Sequence, residues 1–356
     1  MIRNAWYALG TSGELERQLR GEVVAGRPIV AWRADSGEVT ALDARCAHKR
    51  FPLWEGKLLD DGSLECAYHG FAYDADGRCV AIPALHDASD RIPVTARQRK
   101  YPVVEQDGLV WIWPGDGDPG EVPRTPELAS PEWETLSTEP MRVAANARLL
   151  IENLFDLTHF YPLHADNIGS LADAMVPVEI ERGDGWLRTI RRRSSFTLPS
   201  MTRDRFGLEV ADQVQAHTMV GPGLFHVVVK VAPPGKLGTD EEQSFVLHQT
   251  ITPVDAGNLV WRRYTSCRAG ARWAASPERS LVEAIVAGAP SVIEQDRWAI
   301  EKQQEMFAYP DEGYKEVHVK TDGAVVMARR LLDELEDTSD LPQVQTQPAR
   351  RVADIA

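Results

Sequence analysis

Four polar residues suited to metal chemistry fall in one short stretch, Leu149 to His164, reading LLIENLFDLTHFYPLH. Asn153, Asp156 and His159 recur at i,i+3 steps, so a helix would place their side chains along one side. His164 comes five residues after His159, which turns it about 140° away on a regular helix. The two imidazoles can meet at one point only if the helix deforms. Pro162 supplies a reason, since it has no N–H to donate and disfavours helical geometry at Tyr161. The expectation is a regular turn carrying Asn153, Asp156 and His159, followed by a broken turn that re-aims His164. A single histidine beside an apolar run is ordinarily a core or surface residue, and a nearby Asp a helix cap. Here the polar residues sit among Leu149, Leu150, Ile151, Leu154, Phe155 and Leu157, and burying them unpaired would cost on the order of several kcal/mol. Two histidines beside a carboxylate make a candidate metal site.

A second set lies upstream. Cys46-Ala47-His48 and Cys66-Ala67-Tyr68-His69 form the pattern C-x-H-x17-C-x2-H. Two Cys-His pairs on two loops offer four ligands, and structural zinc would accept them. The unequal gaps also match the Rieske arrangement, in which two thiolates hold one iron of a [2Fe-2S] cluster and two imidazoles hold the other. Replacing thiolates by neutral imidazoles raises the potential, which suits a centre that passes an electron to a second metal.

The stretches CAHKRFPLWEG and CAYHGFAYDADGRC resemble the Rieske domain of the ring-hydroxylating and demethylating oxygenases, and ENLFDLTHFYPLH resembles their mononuclear iron motif. WYALG near the start, WIWPGD, and EQDRWAIEKQQ near the end extend the resemblance over nearly the whole chain. It is similar to the Rieske non-heme iron oxygenases of the vanillate and dicamba O-demethylase group, as the oxygenase component. The resemblance implies an α+β protein: an N-terminal all-β Rieske [2Fe-2S] domain, then a helix-grip-like catalytic domain with an antiparallel sheet and iron-bearing helices. It implies that Cys46, His48, Cys66 and His69 hold the cluster and that His159, His164 and Asp296 hold a mononuclear non-heme Fe(II). By the same resemblance Asp156 bridges a cluster histidine of one subunit to an iron-ligand histidine of the next, and Asn153 lies near the iron. Lys49 departs from the Arg that many relatives carry after the first cluster histidine.

The implied activity is a monooxygenase that takes electrons from a separate reductase, with or without a ferredoxin, and uses O2 to remove an O- or N-methyl group from a small aromatic substrate as formaldehyde. Ring or side-chain hydroxylation by the same centres is the rival, and a non-catalytic Rieske electron carrier the more remote alternative. The implied assembly is a head-to-tail homotrimer. No flavin or nicotinamide fingerprint is evident in the chain, so NADH alone is expected to be insufficient.

Elements must position these residues. Short runs such as GEVVAGRPIVAWR, GEVTALDARC, GRCVAIP and GLVWIWPG read as strands, giving a first unit at 1–118. Pro114 to Glu132 is rich in Pro, Gly and acid, so the linker is set at 119–135. Strand-like runs from Val178 to Cys267 suggest an antiparallel sheet in a catalytic unit at 136–340. On those strands His226, His248 and Gln249 either bind an aromatic acid or face solvent, and Arg191-Arg192-Arg193 reads as a solvated strand. Ser291 to Glu294 has capping-box spacing after Pro290, opening a helix to Met306. Its apolar stripe of Val292, Ile293, Ala299 and Ile300 includes Asp296, and a carboxylate there needs a role. A last helix is expected over Gly323 to Glu336, with Val325, Ala328, Leu332 and Leu335 inward, and a mobile tail at 341–356.

The chain has 356 residues and a formal charge of -14, which excludes nucleic acid and anionic membranes as partners. MIRNAWYALG lacks the apolar core of a secretory signal, and no run approaches the ~20 apolar residues of a membrane span. Four cysteines in so long a chain point to a reducing cytoplasm rather than a disulfide framework.

Overall fold

The computed structural model describes residues 1–85, 91–165 and 167–337; the expected mobile tail at 341–356 lies outside them. Ten strands form the N-terminal part: β1 (Tyr7–Thr11), β2 (Arg20–Val24), β3 (Arg27–Arg33), β4 (Val39–Asp43), β5 (Lys57–Leu58), β6 (Leu64–Glu65), β7 (Ala72–Tyr73), β8 (Cys79–Ala81), β9 (Val103–Gln106) and β10 (Leu109–Ile112). They make three small antiparallel sheets, ordered β1-β10-β9, β2-β3-β4 and β5-β6-β7-β8. The last of these carries the loop of Cys66 to His69 between β6 and β7. Val30, Trp32, Leu42, Leu53 and Tyr73 pack with Cys46 and Cys66 in one buried cluster.

The C-terminal part, besides a small two-stranded ribbon of Arg272–Trp273 and Ser276–Ser280, is built on one eight-stranded antiparallel sheet. Its strands are β11 (Trp133–Ser137), β12 (Met141–Val143), β13 (Glu179–Gly183), β14 (Trp186–Thr197), β15 (Val210–Val220), β16 (Leu224–Ala232), β17 (Gln243–Asp255) and β18 (Asn258–Arg268). The order is β11-β18-β17-β16-β15-β14-β13, with β12 also on β18. Around it lie α1 (Ala147–Phe155), α2 (Phe160–His164), α3 (Leu171–Ala174), α4 (Ser200–Phe206), α5 (Leu281–Met306) and α6 (Gly323–Asp337). No helix among the described residues is long and apolar enough to cross a membrane. The two parts share a core in which Ile2, Tyr7 and Val24 pack with Leu259, Trp261 and Leu281.

Three expectations need correction here. The stretch 119–135 is packed rather than a free linker: Thr125 and Glu127 are buried, and β11 begins inside it and pairs with β18. α5 begins ten residues before the expected Ser291. Ser280 is its N-cap, and the Ser280 hydroxyl and Glu283 carboxylate form the capping box. Pro290 lies inside this helix, so a proline was misread as a boundary. Finally, Arg191 and Arg193 are buried and only Arg192 is exposed. Strand alternation turns the outer two arginines inward, where burial lowers each to about 10.

Candidate active site

The two Cys-His loops are built alike. Cys46 N–H donates to Phe51 O at 3.0 Å and Arg50 N–H to Cys46 O at 2.8 Å; Cys66 N–H donates to Phe71 O at 2.9 Å and Gly70 N–H to Cys66 O at 3.0 Å. Arg50 (φ 58°) and Gly70 (φ 71°) take the left-handed turn that closes each loop. A Cβ on Gly70 would meet Pro83 Cγ at 2.6 Å, so glycine is required there. Cys46 and Cys66 are buried, while His48 and His69 are exposed with ring centroids 4.4 Å apart. Tyr73 Oη lies 3.3 Å from Cys46 Sγ and accepts from Ala47 N–H at 3.2 Å. Nothing in the spacing of the motif pointed to Tyr73, because β7 delivers it from outside the ligand loops. Among the described residues, the one set of three or more His, Cys, Asp or Glu donors within 4.8 Å of one another is His159, His164 and Asp296. Two buried sulfurs under two surface imidazoles fit a two-iron unit.

At the second centre α1 ends at Phe155, and Asp156 leaves helical geometry (φ -79°, ψ 100°). Asp156 Oδ1 accepts from Thr158 N–H at 2.8 Å and from its hydroxyl at 2.6 Å, fixing the turn. The break thus falls before His159, and the expectation that Pro162 causes it is wrong. Pro162 sits in the first turn of α2, where its missing N–H has no partner to lose. The turn brings the His159 and His164 rings to 5.1 Å. Asp296 arrives from α5, its Oδ1 3.4 Å from His159 Nε2 and 3.1 Å from His164 Nε2. Asn153 Nδ2–H donates to the same oxygen at 3.1 Å.

Burial pushes the Asp296 carboxyl up, but hydrogen bonds and charge from His159 and His164 outweigh it and hold the group at about 2. Burial pulls His164 down, and the Asp296 carboxylate more than reverses that. His164 Nδ1 lies 2.8 Å from Gln295 Oε1. An amide oxygen only accepts, so Nδ1 donates to it, and Nε2, turned toward the centre, is the nitrogen that would ligate a metal once it gives up its proton. Gln295 was not singled out from the sequence; its place beside Asp296 on α5 was the available signal. His159 Nδ1 has no hydrogen bond among the described residues and lies 3.9 Å from Asp156 Oδ2. Two imidazoles and one carboxylate converging from one side are the donor set of a non-heme Fe(II) site with open positions.

The three donors line a cavity between α5 and the sheet. Strand register aligns Leu187, Met219, Phe225, Gln249 and Arg263 in one row, and Thr189, His217, Val227, Leu247 and Thr265 in the next. Both rows face the cavity side, so Gln249 lines it and accepts from Trp261 Nε1–H at 3.0 Å. His226 and His248 lie one residue off those rows. They are buried on the opposite face with their Nδ1 atoms 3.0 Å apart, so neither faces solvent and neither lines the cavity. Arg193, Arg205, Gln213, Gln215 and His217, none of them expected, do line it. His217 is held by Leu154 O at 2.9 Å from Nδ1, and burial lowers it to about 3, so it is neutral.

Comparison with known proteins agrees with this geometry. Residues 5–102 match the Rieske [2Fe-2S] domain, and residues 143–338 match the vanillate O-demethylase oxygenase C-terminal domain. The chain is 29% identical to the oxygenase component of dicamba O-demethylase from Stenotrophomonas maltophilia, covering 94% of this chain and 98% of that one. It is also 29% identical to the iron-sulfur subunit of the toluene-4-sulfonate monooxygenase system of Comamonas testosteroni, covering 94% and 96%. A crystal structure of dicamba monooxygenase bound to 3,6-dichlorosalicylic acid superposes with a TM-score of 0.85 at 27% identity, over 96% of this chain and 99% of that one. With a Rieske unit followed by a two-histidine, one-carboxylate donor set, the chain belongs to the Rieske non-heme iron oxygenases, in the vanillate O-demethylase oxygenase family.

Proposed function

We propose that the chain is the terminal oxygenase of a multicomponent monooxygenase that removes a methyl group from a small aromatic acid. The observation that carries this reading is the set of His159, His164 and Asp296 donors opening onto a cavity that joins an apolar wall (Val227, Val229, Phe245, Leu247) to buried arginines. Relatives named for dicamba and toluene-4-sulfonate act on aromatic anions, which supports the same class here. In this reading Cys46, His48, Cys66 and His69 hold the cluster and His159, His164 and Asp296 hold the iron. Residues 1–118 form the cluster unit and 136–340 the catalytic unit.

Bound iron supplies dioxygen activation with electrons relayed by the cluster. The chain's residues do the rest. Gln295 fixes the ligating tautomer of His164, Asn153 holds Asp296 Oδ1, and Asp296 stays ionised. The apolar wall excludes water from the reacting methyl group. Overall, a methoxyarene, O2, two electrons and two protons give a phenol, formaldehyde and water, because the hydroxymethyl ether first formed breaks its C–O bond. Electrons come from a separate reductase. Exposed His48 and His69 and the half-buried Asp156 support electron transfer between neighbouring subunits of a homotrimer, and the low cysteine content supports a cytoplasmic setting.

The test is turnover of methoxylated, N-methylated and unmethylated aromatic acids with a reductase and NADH, with formaldehyde followed. Formaldehyde formed in step with a phenol or amine is expected. A hydroxylated ring without formaldehyde would replace demethylation by ring hydroxylation.

A further inference from the structure

Several arginines reach the cavity region, and their surroundings differ. Arg263 donates from Nη2 to Thr138 Oγ1 at 2.9 Å, stacks 5.0 Å over Trp261, and lies in the field of Glu294 and Asp296. Arg191 donates to Gln215 and stacks 5.2 Å over Phe160, and Arg193 stacks 4.8 Å over Phe196. Arg205, on α4, is 8% exposed and lines the cavity. The one hydrogen bond of its side chain among the described residues is a long 3.4 Å contact from Nη2 to Ile285 O, and its Nε has none. No carboxylate of the described residues makes an ion pair with it. Burial lowers it to about 10, which leaves it charged at neutral pH.

Buried charges are normally paired. The cavity that Arg205 lines is the route by which an anionic partner can reach it.

The helix above is shaped to admit this side chain. A Cβ at Gly288 would stand 2.6 Å from Arg205 Nη2 and 3.1 Å from Met201 Sδ. Glycine is a poor choice inside a helix, yet α5 carries one where the guanidinium passes. Gly288 and Asp296 are separated by about 12 Å of helix rise.

We propose that Arg205, admitted beneath Gly288, reads an anionic group on the substrate at the end of the cavity away from the iron ligands. The guanidinium fork fits a carboxylate or sulfonate through two parallel N–H donors. The substrate is then an aromatic ring with its anion at one end and its methyl-bearing group at the other. This inference rests on reading the cavity as the substrate chamber.

The test is calorimetric titration of the purified holoenzyme with benzoate and with benzamide, for the wild type, Arg205→Met, Arg205→Lys and Gly288→Ala. Wild type should prefer benzoate. Arg205→Met should weaken benzoate by about 30-fold or more with benzamide unchanged, Arg205→Lys less, and Gly288→Ala should weaken it with the charge retained. Without ligand, Arg205→Met should melt no lower than wild type, since an unpaired buried charge has been removed. Benzoate binding to Arg205→Met within about twofold of wild type would overturn the proposal. So would a wild type that binds benzamide as well as benzoate, or a melting loss in Arg205→Met that Arg205→Lys restores without restoring affinity. Anion binding that follows Arg205 while no methylated acid yields formaldehyde would retire the demethylase reading and leave this one standing.

Discussion

At the scale of single residues, the two histidines of the candidate iron site are held differently. His164 is tied to Gln295, whereas His159 Nδ1 faces Asp156 Oδ2 at 3.9 Å, beyond hydrogen-bond reach. Asp156 spends Oδ1 on Thr158 and keeps Oδ2 available. Asp156→Asn is expected to leave cluster and iron bound while turnover falls roughly 10–100-fold or more; metal analysis beside steady-state rates checks this, and full activity would remove Asp156 from the electron path. Tyr73 offers a cleaner measurement. With Cys46 a thiolate ligand of the proposed cluster, the Tyr73 hydroxyl 3.3 Å away is the donor to its sulfur, and such bonds favour the reduced, more negative cluster. Tyr73→Phe should lower the reduction potential in a redox titration followed by electron paramagnetic resonance. An unchanged potential would show that the contact has no electronic effect.

At the scale of elements, the turn over Pro126–Leu128 lies against the back of the catalytic sheet, where Glu127 is buried with Oε2 3.7 Å from His248 Nε2, beyond hydrogen-bond reach. Burial raises the Glu127 carboxyl above its ordinary value, with a smaller push from Asp107. The folded chain thus binds this proton more tightly than the unfolded chain. That contribution to stability is complete below the unfolded value and is lost as pH rises through the folded one. Glu127→Gln should therefore melt close to wild type near pH 5 and progressively higher toward pH 8, as thermal scans would show; a gap that does not vary with pH would contradict it.

The same region marks where sequence reading stopped. Strands and metal motifs were legible because alternation and ligand spacing are local. The break after Phe155 was misplaced because an Asp156 side chain, not a proline, ends the helix. Pro290 was taken for a helix start because the stronger Ser280 and Glu283 cap lay further upstream. The arginines on β14 were read as solvated because only the assembled sheet and α5 make their face an interior.

At the scale of the whole molecule, His48 and His69 are exposed and the Asp156 side chain is 35% exposed. This arrangement suits transfer across a subunit boundary in a closed ring. Co-expressing Cys66→Ser chains, which lack the cluster, with Asp296→Ala chains, which lack the iron, should recover turnover absent from either alone. Purified mixed oligomers that stay silent would place transfer within one chain. The interruption between α1 and α2 has a further consequence. The three donors hang on separate pieces of backbone: a turn, a one-turn helix, and the long α5. An ion gripping all three is a rivet as well as a reagent, because the energy of its capture is also the energy that docks α2. With iron held there as proposed, its removal is expected to loosen the segment around His159 and His164 while the sheet beneath keeps its protection, as hydrogen exchange on metal-free and loaded protein would show.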